Sequence, residues 1–135
     1  MWHTIIIAGN VGRDPEMRYT PSGQAVTSFS VATDDSYKAS DGERVKRTIW
    51  FRISAWGKLA ETCSQYLHKG SKVLIEGRLN ADDRGNPRTF QRQDGTTSAS
   101  FEVTANTVRF LSPKGEAEGA EPAAAGGDAG EEIPF

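Results

Sequence analysis

The chain has 135 residues, of which 36% are hydrophobic and 25% charged, enough for one hydrophobic core, because domains run to roughly 100–150 residues before a core divides. No apolar run approaches membrane-spanning length, and Met1-Trp2-His3-Thr4-Ile5-Ile6-Ile7-Ala8-Gly9 lacks the basic start and long apolar stretch of a secretion signal, so no membrane span and a cytoplasmic location are expected. The formal net charge of -2 is unevenly divided: up to Ser112, 15 Lys and Arg stand against 12 Asp and Glu, a net of +3, whereas Lys114 alone stands against Glu116, Glu118, Glu121, Asp128, Glu131 and Glu132, a net of -5. The lone Cys63 has no disulfide partner within the chain, which agrees with a reducing compartment.

In chain order, Ile5-Ile6-Ile7-Ala8 reads as a buried strand ended by Gly9-Asn10. Pro21-Ser22-Gly23 supplies a turn, after which Thr27, Phe29 and Val31 alternate with Ser28, Ser30 and Ala32, predicting a strand with a small-residue outer face. Asp34 to Arg44, with Asp41-Gly42 inside it, is expected to be a loop or long hairpin connection, and the next strand is expected from about Val45 to Trp56. The segment from Lys58 to Leu67 places apolar residues at 59, 60, 63, 66 and 67, one face of a helix that Gly70 should stop. Val73, Ile75, Gly77 and Leu79 predict another strand. Arg84-Gly85-Asn86-Pro87 and Asp94-Gly95 mark a long connection, and Phe101, Val103 and Ala105 open the last strand. Its apolar parity then shifts to Val108 and Phe110, the mark of a bulge or bend. Five strands with a helix between the third and fourth is the order of an OB-fold, an all-β, five-stranded Greek-key barrel with one helix.

Residues 113–127 offer almost nothing to bury, so nothing offsets the entropy of ordering them, and a disordered Gly/Ala/Glu/Pro linker is expected after a domain of residues 1–112. About 20 such residues give an r.m.s. reach of about 25 Å. Residues 128–135 then carry Asp128, Glu131 and Glu132 followed by Ile133, Pro134 and Phe135. An apolar tip on an acidic, solvated tail reads either as a docking peptide or as a frayed terminus.

The richest stretch is Val45-Lys46-Arg47-Thr48-Ile49-Trp50-Phe51-Arg52-Ile53-Ser54-Ala55-Trp56. Side chains alternate across a strand, so Val45, Ile49, Phe51, Ile53 and Ala55 share a core or subunit-interface face, while Lys46, Thr48, Trp50, Arg52, Ser54 and Trp56 share the other. The two tryptophans, about 20 Å apart at roughly 3.3 Å per residue, either complete a core or interface or provide platforms for a flat, negatively charged ligand. Single-stranded DNA is such a ligand, since every base offers a π-face. Lys46 and Arg52 are then phosphate contacts, or else a solvated edge.

Residues Gly9 to Gly23, reading Gly-Asn-Val-Gly-Arg-Asp-Pro-Glu-Met-Arg-Tyr-Thr-Pro-Ser-Gly, resemble the opening signature of bacterial single-stranded DNA-binding proteins. Trp56-Gly57-Lys58-Leu59-Ala60-Glu61, Tyr66-Leu67, Lys69-Gly70 and Gly77-Arg78-Leu79 follow at that family's spacing, and Glu132-Ile133-Pro134-Phe135 is similar to its acidic tip. The resemblance covers residues 1 to about 111 and implies stacking of DNA on Tyr37, Trp50, Trp56 and Phe90. Arg18 and Lys58 within the matching motifs join Lys46 and Arg52 as expected phosphate contacts. It also implies a homotetramer and a tip that recruits replication, repair and recombination proteins to nucleoid DNA. The chain departs from the family in the length of Asn80 to Thr89, in Tyr37 and Phe90 where larger aromatics are common, and in Glu131 and Glu132 where aspartates are usual.

An enzyme is disfavoured. His3, His68 and Cys63 lack metal-ligand spacing, no phosphate-cradling Gly-x-x-x-x-Gly-Lys occurs and no nucleophile is paired with a base, so neither a metal nor a cofactor is expected. Cys63 sits on the apolar helix face as packing. The alternative binding-module reading is an OB-fold replication-restart or RNA-binding protein, against which the terminal Ile133-Pro134-Phe135 argues.

Overall fold

The computed structural model describes residues 1–112, so the expected linker and docking tip lie outside the described residues. Five long strands build a closed barrel: β1 (Ile5–Val11), β3 (Ala25–Asp34), β6 (Thr48–Trp56), β7 (Lys72–Leu79) and β10 (Phe101–Phe110). They bond in the order β1-β7-β10-β6-β3, and β1 closes on β3 through Asn10 opposite Ala32 and Val11 opposite Val31. The helix α1 (Lys58–Tyr66) lies between the third and fourth of these strands, the OB-fold order. Outside the barrel are β2 (Glu16–Tyr19), which extends the sheet beside β3, the hairpin β4 (Tyr37–Lys38) with β5 (Arg44–Val45), and the hairpin β8 (Thr89–Gln91) with β9 (Thr97–Ala99).

The core follows the alternation in the strands. Phe29, Val31, Ile53, Ala55, Val73, Ile75, Val103 and Ala105 are buried and meet Ile7 and Val11 at the barrel axis. The helix covers one end with Ala60 and Cys63, joined by Leu67 just beyond it, and the buried Thr27 hydroxyl donates to the Ala60 carbonyl at 2.7 Å. Because the helix shields it from water, the Cys63 thiol is held protonated, its pKa pushed up to about 12 by desolvation. The parity change in the last strand is a bulge: the pairing of β10 with β7 shifts between Ala105 and Thr107, which lets Val108 face inward after Ala105 has done so.

Several boundaries differ from the sequence reading. The first strand does not end at Gly9-Asn10 but runs on to Val11, because Asn10 and Val11 pair with Ala32 and Val31 where the barrel closes, and Gly9 comes so near β3 that a Cβ there would lie 2.3 Å from the Ala32 carbonyl oxygen. This glycine serves close approach, not chain termination. Nor is Ile5 to Ala8 buried throughout: Ile7 is, whereas Ile6 is 64% exposed and Ala8 faces out, as alternation on a one-layer wall requires. The expected strand from Val45 to Trp56 is broken at Lys46-Arg47 into β5 and β6, where Arg47 turns aside to pair with Asp35. Gly70 does not stop the helix. It ends at Tyr66, Leu67 caps it in an extended conformation, and Gly70 serves a later turn at φ 92°. Tyr66, Leu79 and Phe101, which apolar spacing assigned to the core faces, are 47%, 48% and 57% exposed at the barrel ends.

Candidate nucleic-acid interface

The outer face of β6 carries Trp50, Arg52, Ser54 and Trp56, and cross-strand register decides what surrounds them. On β3, Ala32 lies opposite Trp50, Ser30 opposite Arg52, Ser28 opposite Ser54 and Val26 opposite Trp56. Directly paired residues share a face, so the small Ala32, Ser30 and Ser28 flank Trp50, Arg52 and Ser54, while the buried Val26 lies beside Trp56. Trp50 is 53% exposed and Trp56 41%. Two large aromatic side chains exposed on one strand face make it a candidate interaction face.

Trp50 has a specific support. Its indole lies across Gly12, which follows β1; a Cβ on Gly12 would sit 2.5 Å from Cζ3 and 3.0 Å from Cη2. The missing side chain is thus a slot for the ring, formed where β1 crosses β3 and the Gly12 amide donates to the Ser30 carbonyl at 2.9 Å.

Arg18 reaches this face through β2, whose register sets Arg18 opposite Val26 and therefore in line with Trp56. Its Nη1 donates to Ser28 Oγ at 3.4 Å, which leans the guanidinium over the small-residue row. Arg52 borders a shallow groove with Arg13, Asp14, Glu16, Ser28 and Ser30. Arg13 was not singled out from sequence, since it belongs to no periodic element; only the fold brings it beside Arg52. Lys46 lies in the break between β5 and β6 and lines a cleft of about 580 Å3 with Asn10, Thr33, Arg44, Arg47 and Thr48. Arg44 was likewise missed, although it shares the parity of Lys46. Lys58 opens α1, exposed, two residues beyond Trp56.

The other two aromatic candidates stand on the hairpins. Tyr37, on β4, is 48% exposed and lies opposite Val45, with the Arg47 guanidinium 5.2 Å from its ring centroid. Phe90, on β8, is 48% exposed opposite Ser98. Both hairpins have two or three residues a strand, and aspartates brace the turns around them. Asp34 is held below the usual carboxylate range by the Ser36 hydroxyl and then the Ser36 amide. Asp82, in the turn before β8, is lowered by the amides of Asn86 and Arg84. Asp94, within the β8–β9 turn, is lowered by the hydroxyl and amide of Thr96. The structure therefore unites Trp50, Trp56, Arg52 and Arg18 on one surface, sets Lys46 at the neighbouring cleft with Tyr37 on the hairpin against Arg47, and carries Phe90 on a separate arm. Among the described residues no group of three His, Cys, Asp or Glu side chains is arranged to hold a metal ion, and no helix is long and apolar enough to cross a membrane.

A closed five-stranded barrel with its helix between the third and fourth strands, bearing exposed aromatic and basic side chains on the third, defines an OB-fold protein with an aromatic interaction face. The chain belongs to the single-strand binding protein family, whose profile matches residues 2–111. It is 41% identical over 118 residues to a single-stranded DNA-binding protein of Neisseria meningitidis serogroup A, a match covering 87% of this chain and 64% of the relative. It is 42% identical over 110 residues to single-stranded DNA-binding protein 1 of Chlorobaculum tepidum, covering 82% and 65%. The chain thus spans just under two thirds of the length of these relatives. Among solved structures, the Plasmodium falciparum SSB complex with ssDNA superposes with a TM-score of 0.68 at 23% identity, covering 83% of this chain and 97% of that one, which establishes a shared fold.

Proposed function

We propose that this chain binds single-stranded DNA without sequence preference and protects it during replication, recombination and repair, by binding alone and without catalysis. The observation that carries this reading is the outer face of β6, where Trp50 and Trp56 stand exposed on either side of Arg52 and Ser54. Bases stack on Trp50, Trp56, Tyr37 and Phe90, each contact contributing roughly 1–3 kcal/mol whatever the base. Arg18, Lys46, Arg52 and Lys58 neutralise phosphates. Membership of the family supports both sets of roles, and the names of the Neisseria and Chlorobaculum relatives support the ligand.

Residues 1–112 form the DNA-binding domain, 113–127 a linker and 128–135 a docking tip for DNA-processing proteins. The protein assembles as a homotetramer on cytoplasmic, nucleoid DNA. The Phe135 ring beside Ile133 and Pro134 suits an apolar pocket rimmed by Lys or Arg, with Asp128, Glu131 and Glu132 steering the approach.

Titration of labelled oligo-dT, mixed-sequence single strands and duplex across salt concentrations tests the proposal. Single strands of any sequence should bind in preference to duplex, with affinity falling at a log–log salt slope of about -0.7 per phosphate neutralised. Strong preference for one duplex sequence would refute it.

A further inference from the structure

Arg44, Lys46 and Arg47 all line the cleft beside the β4–β5 hairpin, and charge alone would assign all three to phosphate. Geometry separates Arg47 from the others. Its Nε donates to Asp35 Oδ2 at 2.8 Å, and its Nη2 donates to the same oxygen. Its guanidinium carbon lies 5.2 Å from the centroid of the Tyr37 ring. The backbone closes the same unit: the Asp35 amide donates to the Arg47 carbonyl at 2.8 Å, and Tyr37 is in register with Val45. The guanidinium therefore commits donors to Asp35 and stands over an aromatic ring.

We infer that Arg47 is a positioning residue. It covers one side of Tyr37 and, held by Asp35, fixes the hairpin so that the opposite face of the ring meets an unpaired base; it does not itself neutralise phosphate. This rests on the reading of Tyr37 as a stacking platform. An exposed ion pair alone contributes little, because ordering two long side chains offsets the Coulomb gain. Here one ordered side chain serves both the ion pair and the ring, in a hairpin too short to hold its own geometry.

The phosphate and positioning roles give opposite signs for one substitution. Asp35→Ala removes the negative charge paired with Arg47 beside the cleft, so a phosphate-directed Arg47, once released, would tighten DNA binding. A positioning Arg47 loses its anchor, and binding weakens, by about 2- to 5-fold. Anisotropy titrations of labelled oligo-dT over a range of salt, on the full chain, should compare wild type with Asp35→Ala, Arg47→Ala, Arg47→Lys, Tyr37→Ala and the Arg47→Ala/Tyr37→Ala pair. Thermal melts should match wild type, since the hairpin lies outside the barrel. Each single change at Asp35 or Arg47 should weaken binding at an unchanged salt slope, Arg47→Lys included, because lysine keeps the charge but not the planar fork. The double variant should bind within about 2-fold of Tyr37→Ala, as expected of side chains acting as a unit. Tighter binding by Asp35→Ala, a slope shallower by about 0.7 in Arg47→Ala, wild-type affinity in Arg47→Lys or Tyr37→Ala, or fully multiplied losses in the double variant would overturn the inference. Failure of the wild-type chain to bind oligo-dT would instead overturn the proposed function.

Discussion

Adding one methyl group at Gly12 should separate DNA binding from folding. Its Cβ would lie 2.5 Å from Trp50 Cζ3 and 3.0 Å from Cη2, whereas carbon atoms rest at about 3.5–4.0 Å, so the indole must withdraw by about 1 Å or more. Gly12 is not among the glycines with positive φ, so alanine meets no backbone strain there. Replacing glycine at a compatible position restricts the unfolded chain and stabilises by about 0.4–1 kcal/mol. Gly12→Ala should therefore melt at or slightly above the wild-type temperature while losing much of one stacked base, about 1–3 kcal/mol, or roughly 5- to 150-fold in oligo-dT affinity. Gly9→Ala is the contrasting control: its Cβ would lie 2.3 Å from the Ala32 carbonyl oxygen, backbone that has no room to move, so that variant should lose thermal stability first. Anisotropy titration of labelled oligo-dT, paired with calorimetric melts, reads both quantities. Wild-type affinity in a folded Gly12→Ala protein, or unfolding of that variant, would refute the slot.

Trp50→Ala and Trp56→Ala should each weaken oligo-dT binding by about 1–3 kcal/mol with little change in melting temperature; equal affinity in both would remove the β6 face from the site. Deleting residues 128–135 should abolish capture of DNA-processing partners yet slightly tighten oligo-dT binding at low salt, because an acidic tip competes with phosphate for basic side chains; loss of DNA binding would contradict this. Between pH about 9 and 12 the unfolded Cys63 ionises while the buried thiol does not, so its contribution should fall by about 1.4 kcal/mol per pH unit as pH rises. Denaturant midpoints of wild type should accordingly drop more steeply over that range than those of Cys63→Ala. Asp34, Asp82 and Asp94 should titrate below 3.8 by carboxyl NMR. Their turn bonds favour folding above the unfolded pKa and fade as pH falls through the native one, so a value at or above 3.8 would argue against those bonds in solution.

Alternation is a local property, and what it reports was legible in the sequence. The inward set Phe29, Val31, Ile53, Ala55, Val73 and Ile75, the helix side with Ala60 and Cys63, and the bulge before Val108 are all where period and parity put them. The same logic set Trp50, Arg52 and Trp56 on one outward face, because successive side chains must point to opposite sides of a strand. It could not say which neighbours they would meet. That Gly9 lies inside a strand, that Gly12 cradles Trp50 and that Arg18 lines up with Trp56 through Val26 all depend on contacts made when β1 closes on β3 and β2 folds back beside it. The break at Lys46-Arg47 has the same origin: Arg47 leaves the strand's alternation for an acid twelve residues earlier. Local period chooses the face of each strand, and barrel closure, which joins residues far apart in the chain, decides what each face is built from.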